Sequence, residues 1–300
     1  MRIRIGESEL EWGTSIWRMR DSTALLGDGA ALLQRLNADG YVRLRGVHDR
    51  MTVLEARRRV LEYMRDHGDQ LAAGTPLMDG VINPHARALN LMGNPDVTHA
   101  PAVLAVLEGA RIVEVFEALF GEPVLTFGHK WLRQVGQGGF TGAHVDRVYM
   151  GRGSQRLLTC WTPLGDLRKE EGTLAICEAS HRQTGFRRVR ETYGNADVDR
   201  DKLGGWFSRN PVEIAQHFGG RWVTDDFNAG DIVIIGMQLM HGSTTNVTHR
   251  WRISCDTRFQ PASDPADERW VGPTPSGHTA YGSSGVALRD IEKVRAEWGV

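Results

Sequence analysis

Three things are scarce in this 300-residue chain, and each scarcity closes off a class of protein. Long apolar runs are missing. The longest lies near Ile232 to Met240, well short of the roughly 20 residues that cross a bilayer. The N-terminal MRIRIGESELEWG also has no apolar core of a secretory leader, so the expected location is the cytoplasm, with no membrane partner. Cysteine is rare: Cys160, Cys177 and Cys255 are the three present, and each sits in an apolar, strand-like segment. Their spacing fits no zinc site, which leaves buried structural thiols in a reducing compartment as the expectation. An excess of one charge is absent as well. With 36 basic and 37 acidic residues the formal net charge is -1, so no global field recruits nucleic acid or an anionic membrane. No repeat or low-complexity block appears. What remains is a chain that is 41% hydrophobic, enough for a sizeable core around a small-molecule site.

The stretch GGFTGAHVDRVYMGRGSQRLLTCWTP (138–163) organises the rest. It sets His144 and Asp146 two residues apart beside a strand-like run, and alternate residues of a strand share a face. A third ligand must come from far along the chain. FNAGDIVIIGMQLMHGSTTN (227–246) offers His241 at the end of a second strand. Two imidazoles and a carboxylate form the facial triad that holds Fe(II) and leaves positions open for substrate and oxygen. A short HxD recurs by chance, so its neighbours decide. Eleven residues after His241, in HRWRISCDTRF, stands Arg252, whose guanidinium can bind a carboxylate through a fork.

The ordering of elements sets a fold class. Apolar residues at helical spacing predict helices over Ala30 to Asn37, Thr52 to His67 and Ile112 to Phe120, with a strand at Tyr41 to Leu44. Beyond Gly121 the period shortens to two. Strands are expected at Val124 to Phe127, His129 to Gln134, Val148 to Met150, Arg156 to Thr162, Thr173 to Glu178, Arg221 to Val223, Asp231 to Ile235 and Ile253 to Gln260. Helices first and many short strands afterwards mean an α+β domain with an antiparallel β-sandwich or barrel core. Residues 1 to 28 carry little signal. Ala73 to Pro101, rich in Gly, Pro and Asn, reads as a functional or mobile loop. The charged insert 183–220 reads as either a solvated surface segment or a lid. Pro261 to Gly285 is expected to wrap the surface before a last helix, Leu288 to Trp298. Since the proposed ligands lie about a hundred residues apart and must meet, one domain over 1–300 is expected: a helical part to about 120, a core over 121–260 and a C-terminal extension.

The HxD, the distant His and the Arg one strand further on resemble the Fe(II)/2-oxoglutarate dioxygenases, specifically the phytanoyl-CoA dioxygenase-like branch. DGYVRLRGV (39–47), TCWTPLGDLRKEEGTLAICEASHR (159–182) and NAGDIVIIGMQLMHGSTTN extend the resemblance over roughly residues 30 to 260. It implies a double-stranded β-helix, the cupin-like jelly roll, with the N-terminal helices packed on one sheet. It implies His144, Asp146 and His241 as iron ligands, and 2-oxoglutarate held at its far carboxylate by Arg252 with help from Ser243. Trp161 is either a wall of that cosubstrate pocket or a core aromatic, and Thr159, on the same strand face, could reach the pocket too. Lys130 matches a basic cosubstrate contact on the strand that also carries Arg133. Arg147, Arg152 and Arg156 are solvated by default, and any one turned inward would favour an anionic substrate. Halogenating members of the family replace the carboxylate ligand with a small residue. Asp146 is kept, so hydroxylation or another oxidation with O2, releasing succinate and CO2, is expected. A non-catalytic binder of the same fold and a two-His, one-Asp zinc hydrolase are the rival readings.

Overall fold

The computed structural model describes residues Met1 to Val300. Three short strands open the chain, β1 (Arg2–Ile5), β2 (Ser8–Glu11) and β3 (Ile16–Arg18). The sequence carries little signal there, yet Ile3, Ile5 and Leu10 alternate inward and are buried. Next come α1 (Gly29–Asp39), β4 (Tyr41–Leu44) and α2 (Arg50–Gly68). Asp49 caps α2 by accepting from the Thr52 amide, which is why the helix begins there. The expected loop over 73–101 is interrupted by α3 (Pro95–Thr98), and α4 (Pro101–Leu107) follows it, each with proline in its first turn. Then follow α5 (Ala110–Phe120), β5 (Val124–Thr126), β6 (Trp131–Val135), α6 (Arg147–Met150), β7 (Leu158–Pro163) and β8 (Leu174–Glu178). The insert holds α7 (Arg187–Glu191) and α8 (Pro211–Phe218), and the chain closes with β9 (Arg221–Thr224), β10 (Ile232–Gly236), β11 (His241–Ser243), β12 (Arg252–Pro261) and α9 (Ile291–Trp298).

Two sheets face each other. The larger runs β4-β10-β7-β12-β5, with β6 also paired to β12, and its pairs are antiparallel. The smaller runs β11-β8-β9-β3. Side-chain alternation sorts every central strand into two faces. Ile232 and Ile234 of β10, Leu158 and Cys160 of β7 and Phe259 of β12 point outward and are covered by α1 and α5, through Leu32, Leu36, Ile112 and Phe116. Ile253 and Cys255 lie under α2 and α4. The N-terminal helices therefore pack on the larger sheet, as the resemblance implied. Inward, Trp161, Val233 and Ile235 meet Leu174, Ile176 and Val223 of the smaller sheet in an apolar cluster that closes one end of the jelly roll. The other end is polar, and the site is there.

The insert and the first hairpin cover the outer face of the smaller sheet, with Phe186, Tyr193, Phe207 and Ile214 over Cys177 and Trp222. One expected strand is wrong. Val148 to Met150 belongs to the single helical turn α6, because the Tyr149 amide bonds back to the Asp146 carbonyl at 3.0 Å. A three-residue window cannot separate alternation from one turn of helix. No helix is long and apolar enough to cross a membrane, and all three cysteines are buried and unpaired.

Candidate active site

A two-residue antiparallel bridge builds the centre. The His144 amide donates to the His241 carbonyl at 2.8 Å and the His241 amide returns the bond at 2.9 Å. This sets the two imidazoles side by side, ring centroids 4.3 Å apart. His241 begins its own short strand rather than ending the preceding one. Glycine at 242 is required, since a side chain there would meet the Thr141 carbonyl at 2.7 Å. Each imidazole is oriented by the backbone: Nδ1 of His144 lies 2.8 Å from the Gly142 carbonyl and Nδ1 of His241 lies 2.9 Å from that of Leu239. Carbonyls only accept, so both Nδ1 atoms carry hydrogen and both Nε2 lone pairs face inward.

Asp146 completes the set from the start of α6, not from a strand position. Its Oδ2 accepts from Thr159 Oγ1 at 2.5 Å and from Arg258 Nη2 at 3.0 Å. Its Oδ1 lies 3.5 Å from Nε2 of His144 and 3.7 Å from Nε2 of His241. One ligand atom from each of the three residues lies within 4.8 Å of the others. Three acceptors face one another with no donor among them, and all three side chains are buried. Only a cation satisfies such a cradle. Burial opposes ionisation of Asp146, but Arg258 and the histidines outweigh it and hold the carboxyl well below its usual range. Burial, then the neighbouring His144, pushes His241 down to about 4, so its imidazole is neutral and ready to ligate at neutral pH.

Two cavities meet at this centre. The first is lined by both histidines, Trp161, Ser243 and Arg252. Arg252 is 2% exposed, and its donors reach only the Gly172 carbonyl at 2.8 Å and Ser254 Oγ at 2.6 Å. It has no carboxylate partner, and burial pushes its guanidinium down to about 10. Ser243 accepts from the Thr141 amide at 2.8 Å, while the hydroxyl that touches Arg252 is that of Ser254. Trp161 lines this cavity and also packs edge-on against Phe227, centroids 4.8 Å apart.

The second cavity opens from His144 and Asp146 toward Trp131, Tyr149, Trp206 and Tyr281. A larger groove beyond it is lined by residues 82–92 with Phe140, Trp206 and Trp251, and the two share Met92, Arg133, Thr141 and Trp206. Both the 73–101 segment and the insert therefore border the site. The extension does too: it does not merely wrap the surface, because His278 and Tyr281 reach the cavity. Asp199, from the insert, holds them there by accepting from the amides of Thr279, Ala280 and Tyr281 and from the Arg269 and His278 side chains.

Two expected cosubstrate contacts fall elsewhere. Thr159 faces inward, but its hydroxyl is committed to Asp146. Lys130 is turned out of the site, with Nζ on Glu108 and on the Phe127 carbonyl. Leu132 packs under the helices while Trp131 and Arg133 line the cavity, so the inward phase of β6 is odd-numbered and Lys130 is out of phase. Arg147, Arg152 and Arg156 all turn outward, to Gln155, to Asp197, and to Asp264 with Glu122. Of the buried arginines, the two that line these cavities are Arg252 and Arg258. Sequence reasoning missed Arg258, although the alternation Arg252, Ser254, Asp256, Arg258 on a buried strand was a signal for a polar inward row.

A jelly roll with two imidazoles and a carboxylate converging beside an unpaired buried guanidinium defines the non-haem iron oxygenases that use 2-oxoglutarate. The chain belongs to the phytanoyl-CoA dioxygenase family, whose pattern matches residues 36–254. It is 28% identical over 268 residues to the 1-deoxypentalenic acid 11-beta-hydroxylase of Streptomyces arenae, covering 81% of this chain and 85% of the relative. The enzyme of that name from Streptomyces exfoliatus is 27% identical over 256 residues, with the same two coverages, 81% and 85%. Among solved structures, the epimerase SnoN in complex with Fe3+, alpha ketoglutarate and nogalamycin RO superposes with a TM-score of 0.56 at 19% identity, over 87% of this chain and 92% of that one. EctD from S. alaskensis gives 0.58 at 17% identity, over 96% and 94%. The chain is an iron- and 2-oxoglutarate-dependent oxygenase acting on a small molecule, with O2 as the third reactant.

Proposed function

We propose that the enzyme hydroxylates an aliphatic carbon of a small, largely apolar molecule that carries an acidic group, in secondary metabolism and in the cytoplasm. His144, Asp146 through Oδ1, and His241 would hold the iron. The Arg252 guanidinium would pair with the far carboxylate of 2-oxoglutarate, with Ser254 fixing it and Trp161 and Ser243 forming the walls. Iron held by these three residues, with 2-oxoglutarate and O2, would supply the oxidising chemistry, with succinate and CO2 as coproducts. The protein's own part is to orient both imidazoles by their Nδ1 bonds, to keep Asp146 ionised through Thr159 and Arg258, and to exclude water with Tyr149, Trp206 and Tyr281. Residues 1–300 act as one unit in this reading, because the insert and the extension both wall the cavity.

The observation that carries the reading is Arg252: a buried, unpaired guanidinium opening on the cavity that both histidines line. Neither a zinc hydrolase nor a simple metal binder needs it. The substrate's acidic character accords with the Streptomyces relatives, named for an acid. With added Fe(II), purified protein should consume 2-oxoglutarate and form succinate in equal amounts. Asp146→Ala should abolish this, and undiminished turnover by that variant would remove the assignment.

A further inference from the structure

We propose that Arg258 binds the acidic group of the substrate, a carboxylate or comparable monoanion, on the side of the metal triad opposite to the cosubstrate. The inference rests on the oxygenase reading and adds to it the residue that selects the substrate. Arg258 lies on the inward face of β12 with its side chain 1% exposed. One amino group, Nη2, donates to Asp146 at 3.0 Å. The face of the guanidinium lies over Trp131, with Cζ 4.0 Å from the ring centroid. Its Nε and Nη1 have no hydrogen-bond partner at all. The nearest carboxylate oxygen to Nη1, on Asp256, is 3.9 Å away and already accepts from Arg133 at 2.8 Å. Buried charged donors left unanswered are strongly unfavourable, so a missing acceptor is implied.

The two cavities say what that acceptor is. Arg252 lines the first and is absent from the second; Arg258 lines the second and is absent from the first; His144, Thr141 and Arg133 are common to both. Arg133 is already answered by Asp256, so each chamber keeps one arginine of its own without a carboxylate to itself, and 2-oxoglutarate can occupy only one chamber. Charge agrees. With iron and 2-oxoglutarate in place, the two charges of the metal and those of Arg133, Arg252 and Arg258 make five positive. Asp146, Asp256 and the two cosubstrate carboxylates make four negative. One positive charge is left inside a buried site, and a monoanionic substrate neutralises it. The apolar part of the wall, Met92, Trp131, Met150 and Trp206, suits an apolar body attached to that anion.

The test uses the Ni(II)-loaded protein with saturating 2-oxoglutarate, so that no turnover occurs. A panel of cyclic and linear carboxylic acids, including adamantane-1-carboxylate, cyclohexanecarboxylate and decanoate, is titrated by calorimetry against the matching primary amides. At least one acid should bind about tenfold or more tightly than its amide, the usual gain of a charge-assisted bond. In Arg258→Gln the preference should fall to within about threefold, and Arg258→Lys, which keeps the charge, should retain part of it. Nickel content and 2-oxoglutarate affinity are measured on the same samples, and the lysine variant carries the comparison if the glutamine variant releases metal. Wild-type protein with normal 2-oxoglutarate binding but no acid preferred over its amide would overturn the proposal. So would an undiminished preference in Arg258→Gln, or loss of nickel from both variants, which would make Arg258 solely a holder of Asp146. Failure of the wild-type protein to bind 2-oxoglutarate would count instead against the oxygenase reading.

Discussion

Strand β12 has two faces that are equally buried and chemically opposite. Outward, Ile253, Cys255 and Phe259 fill the space beneath the helices; inward, Arg252, Asp256 and Arg258 line the site, with Ser254 between them bonded to Arg252. The outward row is what a sheet under helices requires, and its burial drives folding. The inward row removes two guanidinium groups from water without full compensation, which works against folding. A fold tolerates such a row where something else completes it, and in the function proposed above the metal, the diacid and the substrate would do so. The same strand therefore contributes stability through one set of alternate residues and function through the other.

Truncating the outward row should give the largest effect on folding. Phe259 stacks on Phe116 with centroids 4.1 Å apart. Phe259→Ala should lower stability by about 3–5 kcal/mol in denaturant titrations, while the fraction that remains folded keeps its affinity for 2-oxoglutarate. The inward row should respond in the opposite sense. Arg252→Met removes a buried charge that has no carboxylate partner, so the ligand-free protein should melt no lower than wild type. Its dissociation constant for 2-oxoglutarate should rise by at least about thirtyfold, as loss of one member of a buried charge pair does. A lower melting temperature with unchanged cosubstrate binding would dissolve the distinction between the faces.

Residues whose type is dictated by chemistry were legible in the sequence. The triad His144, Asp146 and His241, which the structure brings together as a metal site, was found from its order along the chain, and so was Arg252, the residue proposed above to hold the diacid. Alternation also placed Thr159 and Trp161 on the inward face, and the structure agrees. What Thr159 touches was not legible, because Asp146 arrives on a helical turn after the chain has left the sheet. Lys130 was misplaced by one residue of register, which in a strand inverts the face. Arg258 stood in plain alternation with Arg252 and went unread, since a strand bounded by charged residues looks like an exposed one until its neighbours are known. The contribution of His278 and Tyr281 could not be read at all. Nothing local in a segment rich in Pro, Gly and Ser shows that its backbone is gathered by an aspartate about eighty residues upstream.

That aspartate supplies the smallest and most discriminating comparison, a buried charge answered in full. Asp199 has a side chain 1% exposed, yet each of its oxygens has partners: Oδ1 accepts from three successive amides, and Oδ2 from Arg269 and His278. Burial opposes its ionisation, but these hydrogen bonds win and hold its carboxyl well below the ordinary 3.8. A depressed carboxylate stabilises the fold fully above its unfolded value and loses that contribution as pH falls through the range below it. Asp199→Asn should thus lower stability by about 1.5–3 kcal/mol at neutral pH, the range expected for hydrogen bonds to a charged group. The gap between the two melting curves should stay constant from about pH 8 to 5 and close as the pH drops below about 4. The variant should also weaken substrate binding more than 2-oxoglutarate binding, because the segment it releases walls the second cavity and not the first. If the gap widens on acidification, or if cosubstrate affinity falls as much as substrate affinity, then the fully paired charge is not the fixed scaffold against which the unpaired row of β12 is to be understood.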